Sequence, residues 1–399
     1  MVITGLGAIS ALGHTTGQFW YALSQGHTGF RTLSCLPTDR LRVAIGAEVP
    51  DYRPEDFFTP QDLPLLDRFS QFALIAAREA VRDSGLDDAA IHAAAAVVGT
   101  GCGAKGTDEE TYQQLYQQGK VRVHPLTIPK GMPSAAASQL SLQLGITGPV
   151  FSVASACASA AHAISMAMTM IRSGMVSVVI TGGTDAPFTY GLMKSWEALR
   201  VLSTDTCRPF SVDRSGLVLG EGAGIVVLES LDHAQRRGAS IHAELAGCGM
   251  SADAGHITNP SSDGASRTML SALEDAALSP SEVDYVNAHG TGTPANDVME
   301  TRALRAVFKE HADRLLVSAT KSMHGHSLGA AGAHELIATV LALKNGIVPP
   351  TANFTAAGEG CDLDYVPNQS RKTSLHVALS SSFAFGGLNA VLAVRSWRG

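Results

Sequence analysis

Residues 150–171 read V-F-S-V-A-S-A-C-A-S-A-A-H-A-I-S-M-A-M-T-M-I. A short β-rich run, 150–153, passes through a few small residues into a stretch from Ala158 to Ile171 that is apolar nearly all round. A helix apolar on every side is one enclosed by a large protein. Residues 131–171 carry no Asp, Glu, Lys or Arg, a run about twice the ~20 residues of a membrane span. Pro133, Gly145, Gly148, Pro149 and many Ser and Gln interrupt it, which makes a transmembrane helix a poor fit. A strand that turns directly into a buried helix is an α/β unit.

The same alternation extends in both directions. Val2, Ile3 and Thr4 read as a strand ending at Gly5, and 68–84 as a helix with Phe69, Phe72, Ala73, Ala76 and Ala80 on one face, stopped by Gly85. Strands are expected at 93–98, 176–181 and 225–228. Beyond residue 240 the spacing predicts helices over 266–277, 296–308 and 332–343 and strands over 283–288, 315–318, 377–380 and 391–394. Ser279, Pro280 and Glu282 form a capping box with Pro at the first helical position. The chain therefore reads as α/β, with strands buried under helices on both sides. Its 399 residues suit two or three domains, or one duplicated unit.

Composition narrows the function. The chain is 45% hydrophobic and 16% charged, too apolar for a disordered protein. The net charge is −7 with no basic cluster, which argues against nucleic acid and anionic membrane as partners. The opening M-V-I-T-G-L-G-A-I-S has neither a basic n-region nor a cleavage site, so a cytoplasmic protein is expected. The six cysteines are scattered and none lies in a C-x-x-C pair, so neither a zinc site nor a disulfide framework is expected.

Four segments can carry chemistry. Cys157 sits where the 150–153 strand turns into the buried helix; a helix N-terminus lowers a thiol pKa, so Cys157 is either a nucleophile or an inert core thiol. Asn287-Ala288-His289-Gly290-Thr291-Gly292-Thr293 follows a strand, and places a histidine and two hydroxyls either at a substrate or in a solvated loop. Lys321-Ser322-Met323-His324-Gly325-His326 also follows a strand. No third ligand is spaced for a metal with His324 and His326, so a neutral imidazole donating to an oxyanion is the better use. Glu335, nine residues after His326, pairs with Lys321 either to orient the site or as an ordinary surface pair. Phe383-Ala384-Phe385-Gly386-Gly387 is a tight segment whose N–H groups suit an oxyanion hole, or a plain β-turn in the core. Gly5-Leu6-Gly7 lacks the third glycine and the acid of a dinucleotide fingerprint.

In that order the segments, together with Gly220-Glu221-Gly222-Ala223-Gly224, resemble the β-ketoacyl-acyl carrier protein synthases of the synthase II type, over essentially the whole chain. The resemblance implies a thiolase fold, two similar βαβαβαββ halves in a layered α-β-α-β-α architecture. Residues 1–240 would form the half carrying the nucleophilic Cys157, and 241–399 the half carrying His289 and His326. It implies acyl transfer to Cys157, then decarboxylative Claisen condensation with malonyl-carrier protein. His289 and His326 would stabilise the enolate, supported by Lys321 and Glu335. The backbone N–H groups of Cys157 and Phe385 would hold the tetrahedral oxyanion, Thr291 and Thr293 would contact pantetheine, and Cys102, Trp196 and Phe385 would shape the acyl pocket or its gate. No metal or redox cofactor is implied, since the phosphopantetheine belongs to the acyl carrier protein. The other partner implied is a dimer mate: a second copy, or a chain-length-factor-like subunit.

The chain departs from the pattern in places. Residues 59–67 hold no base where the primary fatty-acid enzymes often do, so carrier docking falls to Arg68, Arg200 or a partner subunit. Ala384 and Leu388 replace the Gly and Thr usual in the gate turn, and Cys102 replaces a branched aliphatic, which suggests room for a longer or stiffer chain. Ser195-Trp196-Glu197-Ala198-Leu199-Arg200 and the F-A-F-G-G turn look most like nodulation-type and polyene or polyketide ketosynthases, and a specialised enzyme elongating unsaturated chains is the expectation. The rivals are a non-enzymatic chain-length factor, which usually lacks the cysteine, and an acyl-binding protein. A thiolase would need a second cysteine nearer the C-terminal glycine turn than Cys361.

Overall fold

The computed structural model describes residues 1–398. Ten strands form one continuous sheet: β1 (Val2–Ile9), β2 (Ala95–Gly99), β3 (Val150–Val153), β4 (Val178–Asp185), β5 (Gly222–Glu229), β6 (Ala243–Ala252), β7 (Tyr285–Asn287), β8 (Leu316–Ser318), β9 (Val377–Ala384) and β10 (Leu388–Ser396). Their order is β8-β7-β9-β10-β6-β1-β5-β4-β2-β3. Read outward from the β1–β6 contact, both halves run first, fifth, fourth, second, third. In each, the second strand lies parallel to the third and fourth, and the fifth runs antiparallel to the fourth and the first. The halves meet through Val2↔Glu244 and Ile3↔Ala243. The fold is therefore a duplication.

Six helices position the site: α1 (Arg68–Ser84), α2 (Ser159–Arg172), α3 (Tyr190–Leu199), α4 (Ser262–Asp275), α5 (Pro294–Phe308) and α6 (Ala331–Asn345). Strand side chains alternate between faces, and the core divides accordingly. Val97, Val179, Val226 and Leu392 join the buried faces of α2 and α6 in a central cluster. Val98, Ile180 and Val227 turn to α1, and Val286, Leu379 and Val391 to α4 and α5. The central helices thus lie between two sheet faces with outer helices beyond, in the layers α-β-α-β-α. Every residue of α6 from Ala331 to Leu343 is buried, His334 and Glu335 included.

Strand β1 does not end at Gly5. It runs on to Ile9, because Gly5 and Gly7 lie against α1, where a Cβ would meet the carbonyl oxygens of Ala80 and Ala76 at 2.1 and 1.9 Å. These glycines serve close helix–strand approach, not a nucleotide turn. Nor is α2 covered all round: Met166 on it and Phe151 on the edge strand β3 are each 37% exposed. Among the described residues, no helix is long and apolar enough to cross a membrane.

Candidate active site

The first half brings up the nucleophile. After β3 the backbone turns through Ala156 at φ +50° and a single 3-10 turn, Ala156–Ala158, before α2 begins. Ser159 Oγ fastens this elbow, accepting from Ser155 N–H at 2.9 Å and lying 2.7 Å from the Ala156 carbonyl. Cys157 is buried, 7% exposed. Burial pushes its thiol up to about 11, against the Lys321 charge and hydrogen bonds from the N–H groups of Phe385 and of Cys157 itself. The expected lowering by a helix N-terminus is thus outweighed by desolvation. Phe385, whose N–H is the other expected oxyanion donor, lines the same cavity as the sulfur.

The second half supplies the histidines. His289 follows β7, and Glu300 on α5 fixes its loop by accepting from the N–H groups of His289 (2.7 Å) and Gly290 (2.8 Å). Asp297, one turn earlier, accepts from Phe210 N–H at 2.7 Å and Gly292 N–H at 3.2 Å. His326 lies beyond β8, its N–H bonded to the Val218 carbonyl at 2.7 Å. The rings of His289 and His326 stand edge to face, 5.5 Å apart.

Hydrogen bonds set both tautomers. Leu328 N–H donates to His326 Nδ1 at 3.1 Å, so the proton sits on Nε2, which is buried without a partner. The Lys321 ammonium lies 3.2 Å from His289 Nδ1; an ammonium has no lone pair, so His289 also carries its proton on Nε2. Burial first, then Lys321, holds both imidazoles well below their ordinary pKa. The site therefore presents two neutral N–H donors. Lys321 is completely buried among acceptors: His289 Nδ1, the His289 carbonyl at 2.7 Å, and the Glu335 carboxylate, with which it forms an ion pair. This is no surface pair. Burial raises the Glu335 carboxyl and the Lys321 charge opposes that rise.

Cys157, His289 and His326 line one cavity of about 350 Å³, with Thr291, Thr293 and Phe385. The two threonine hydroxyls are 2.9 Å apart. Trp196 of α3 lines the wall and stacks on Phe385, centroids 6.0 Å apart. Gly386 and Gly387, at φ +82° and +69°, make the tight turn between β9 and β10 that brings Phe385 there.

Two expectations change. Cys102 does not line the cavity; it packs behind it with Trp196 against Leu33, Phe188, Met193 and Leu217. Arg68 is not free for docking: it makes a bidentate pair with buried Glu221 at 2.6 and 2.8 Å and lies over the rings of Tyr52 and Phe72. Arg200 is exposed, between Leu199 and Val201 of the cavity wall. His324 is buried against Thr320 Oγ1 at 3.0 Å, and no group of three or more His, Cys, Asp or Glu among the described residues is arranged to hold a metal. Asp185, Glu300 and Asp297 were not read from the sequence; the only available signal was an acid closing an apolar strand, or spaced along a helix after the histidine loop.

The chain is similar to known proteins along its length. The family description "Beta-ketoacyl synthase, N-terminal domain" matches residues 1–234 and its "C-terminal domain" matches 242–355. Nodulation protein E of Rhizobium leguminosarum bv. trifolii is 49% identical over 397 residues, covering 99% of this chain and 98% of that protein. The 3-oxoacyl-[acyl-carrier-protein] synthase 2 of Staphylococcus aureus is 40% identical, covering 100% and 98%. The solved ishigamide ketosynthase/chain length factor superposes with a TM-score of 0.95 at 35% identity, covering 100% and 99%. A duplicated thiolase fold around a buried cysteine and two neutral histidines, matched along its whole length, makes this chain a member of the β-ketoacyl synthase family, an acyltransferase-class condensing enzyme.

Proposed function

We propose that Cys157, His289 and His326 divide the condensation between them, on substrates delivered by an acyl carrier protein. The observation that carries this reading is two neutral Nε2–H donors facing the same cavity as the Cys157 thiol and Phe385. In the first step the Cys157 sulfur attacks the acyl-pantetheine thioester. The tetrahedral oxyanion takes hydrogen bonds from the N–H groups of Cys157 and Phe385. As the carbon–sulfur bond to pantetheine breaks, the thiol proton of Cys157 ends on the departing pantetheine sulfur. Malonyl-carrier protein then places its thioester oxygen between His289 and His326. Carbon dioxide leaves, the bonding pair forms an enolate, and the two N–H donors hold its oxygen. Neutral donors suit this step, because they stabilise the negative oxygen without surrendering a proton to the carbon that must react. The carbanion attacks the acyl-Cys157 carbonyl, the same two amides hold the second oxyanion, and Cys157 leaves as a thiolate that regains a proton from water.

Lys321 orients His289, and Glu335 balances its buried charge. Thr291 and Thr293 line the path of the pantetheine arm, and Trp196 with Phe385 forms the wall that the acyl chain meets. No metal or redox group enters these steps. The two halves divide at 240/241, and the protein works in the cytoplasm. It is paired with a second copy, or serves as the active half beside a chain-length-factor-like subunit; Phe151, Met166 and the open edge of β3 favour such a mate. The relatives favour a specialised pathway of polyene, polyketide or fatty acid synthesis. Intact-protein mass spectrometry with acyl-carrier proteins of graded length and saturation tests the reading. An acyl adduct absent from Cys157→Ala is expected, with unsaturated chains accepted. No adduct from any donor on folded protein, with or without a partner subunit, would overturn it.

A further inference from the structure

Asp185, the last residue of β4, is completely buried, and four donors surround its carboxylate. Thr100 Oγ1–H at 2.8 Å and Cys102 N–H at 3.0 Å donate to one oxygen, and Gly101 N–H at 2.8 Å and Gly329 N–H at 2.6 Å to the other. Two carboxylate oxygens offer about four acceptor sites, so the group is saturated with donors; burial raises its carboxyl pKa, and these four donors oppose that rise. The donors come from both halves of the molecule. Gly329 lies three residues after His326, on the segment whose Leu328 N–H fixes the His326 tautomer. Thr100 reaches the nucleophile elbow, since its carbonyl lies 3.2 Å from Ser159 Oγ, the hydroxyl that fastens Ala156.

The packing leaves no slack. A Cβ on Gly329 would stand 2.3 Å from Gly101 N and 2.6 Å from Asp185 Oδ2, and one on Gly183 would stand 2.4 Å from the Gly329 carbonyl. The Gly101 site is within 3.3 Å of the Ala156 carbonyl. The elbow of Cys157 and the loop of His326 are thus pressed together across the join between the halves, and one carboxylate is bonded to both sides.

We propose that Asp185 is a positioning residue for the condensation: held as a carboxylate, it sets the register between Cys157 in one half and His326 in the other. This rests on the ketosynthase reading above. The charge has a reporter in the nearby thiol: burial is the main cause of its raised pKa, and Asp185 adds to that rise while Lys321 opposes it. The other titratable groups facing the thiol are Cys102, His289 and His326.

Asp185→Asn tests both the register and the charge. A carboxamide sets an NH2 donor against the donors that met one of the two oxygens, so the bonds at that position fail. Decarboxylation of malonyl-carrier protein is expected to fall by about tenfold to a hundredfold, the cost of a misplaced reacting group. The pH midpoint for alkylation of Cys157 by iodoacetamide, which needs no substrate, shifts to lower pH because a negative charge beside the thiol is gone. A residue with only a structural role would leave that midpoint in place. Thr100→Val keeps the charge and removes one donor; it is expected to slow decarboxylation several-fold with the midpoint unmoved. A folded Asp185→Asn protein with an unshifted midpoint, or with wild-type decarboxylation, would overturn the proposal. Should that variant fail to fold, wild-type decarboxylation in Thr100→Val overturns it instead. A wild-type protein that neither acylates nor decarboxylates would sink the ketosynthase reading, and the alkylation midpoint would still judge Asp185.

Discussion

In the first half, β3 ends in a tight elbow at Ala156 and hands the chain straight to α2, with Cys157 in the turn. In the second half the corresponding strand, β8, is followed by a longer connection holding Lys321 and His326 before α6 begins. The second strands compare in the same way. β2 runs into Thr100 and Gly101, which bond to Asp185, whereas β7 runs into His289 and Gly290, which bond to Glu300. One strand order therefore carries two chemistries. The short elbow of one half strains a backbone to display a sulfur. The other half spends its buried charges, Lys321 with Glu335 and Glu300, on holding His289, while a backbone N–H, that of Leu328, orients His326. Duplication supplied the frame, and the strand-end loops supplied the difference.

The largest effect that would break this comparison is Cys157→Ala. Overall condensation should fall by about a thousandfold or more, as when a covalent nucleophile is removed, measured as β-ketoacyl product. Next comes His326→Ala, which removes an N–H donor from the enolate; malonyl decarboxylation should drop about a hundredfold to a thousandfold while the acyl adduct on Cys157 still forms. Glu335→Gln leaves the Lys321 ammonium buried without its counter-charge. Breaking such a pair costs about 3–5 kcal/mol, read as a lowered denaturation midpoint, together with slower decarboxylation.

A gentler test uses pH. The thiol pKa is raised, to about 11, so the neutral form prevails at pH 7. Alkylation of Cys157 should climb roughly tenfold per pH unit through the neutral and alkaline range, since only the thiolate reacts. A plateau below pH 8 would show a thiol activated in the resting state. The smallest effect is expected from Trp196→Ala, which loses the stack on Phe385, worth about 0.5–1.5 kcal/mol; acyl-chain preference should shift while the malonyl half-reaction stays near wild type.

Much of this was legible in the sequence, for identifiable reasons. Helix α1 is legible at its full span because its apolar spacing and Gly85 are local signals. Cys157, His289, Lys321 and His326 stood out because each follows a strand in a run of small residues. What escaped reading was set by distant contacts. Gly5 and Gly7 look like punctuation but answer to Ala76 and Ala80 of α1, far along the chain. Asp185 and Glu300 act through backbone N–H groups, which every residue but proline has, so no side-chain pattern announces them. The Cys157 thiol was misjudged because a helix terminus can be seen in a sequence and the depth of burial cannot. Arg68 looked like a free base until Glu221, from a segment far along the chain, was found beneath it.

The division of labour between the halves is the central claim, and the half-reactions of single variants test it most directly. Carbon dioxide release from malonyl-carrier protein should survive in Cys157→Ala, because His289 and His326 hold the enolate without the sulfur. Acylation of Cys157 should in turn survive in His326→Ala. Loss of decarboxylation in folded Cys157→Ala, or of acylation in folded His326→Ala, would contradict it.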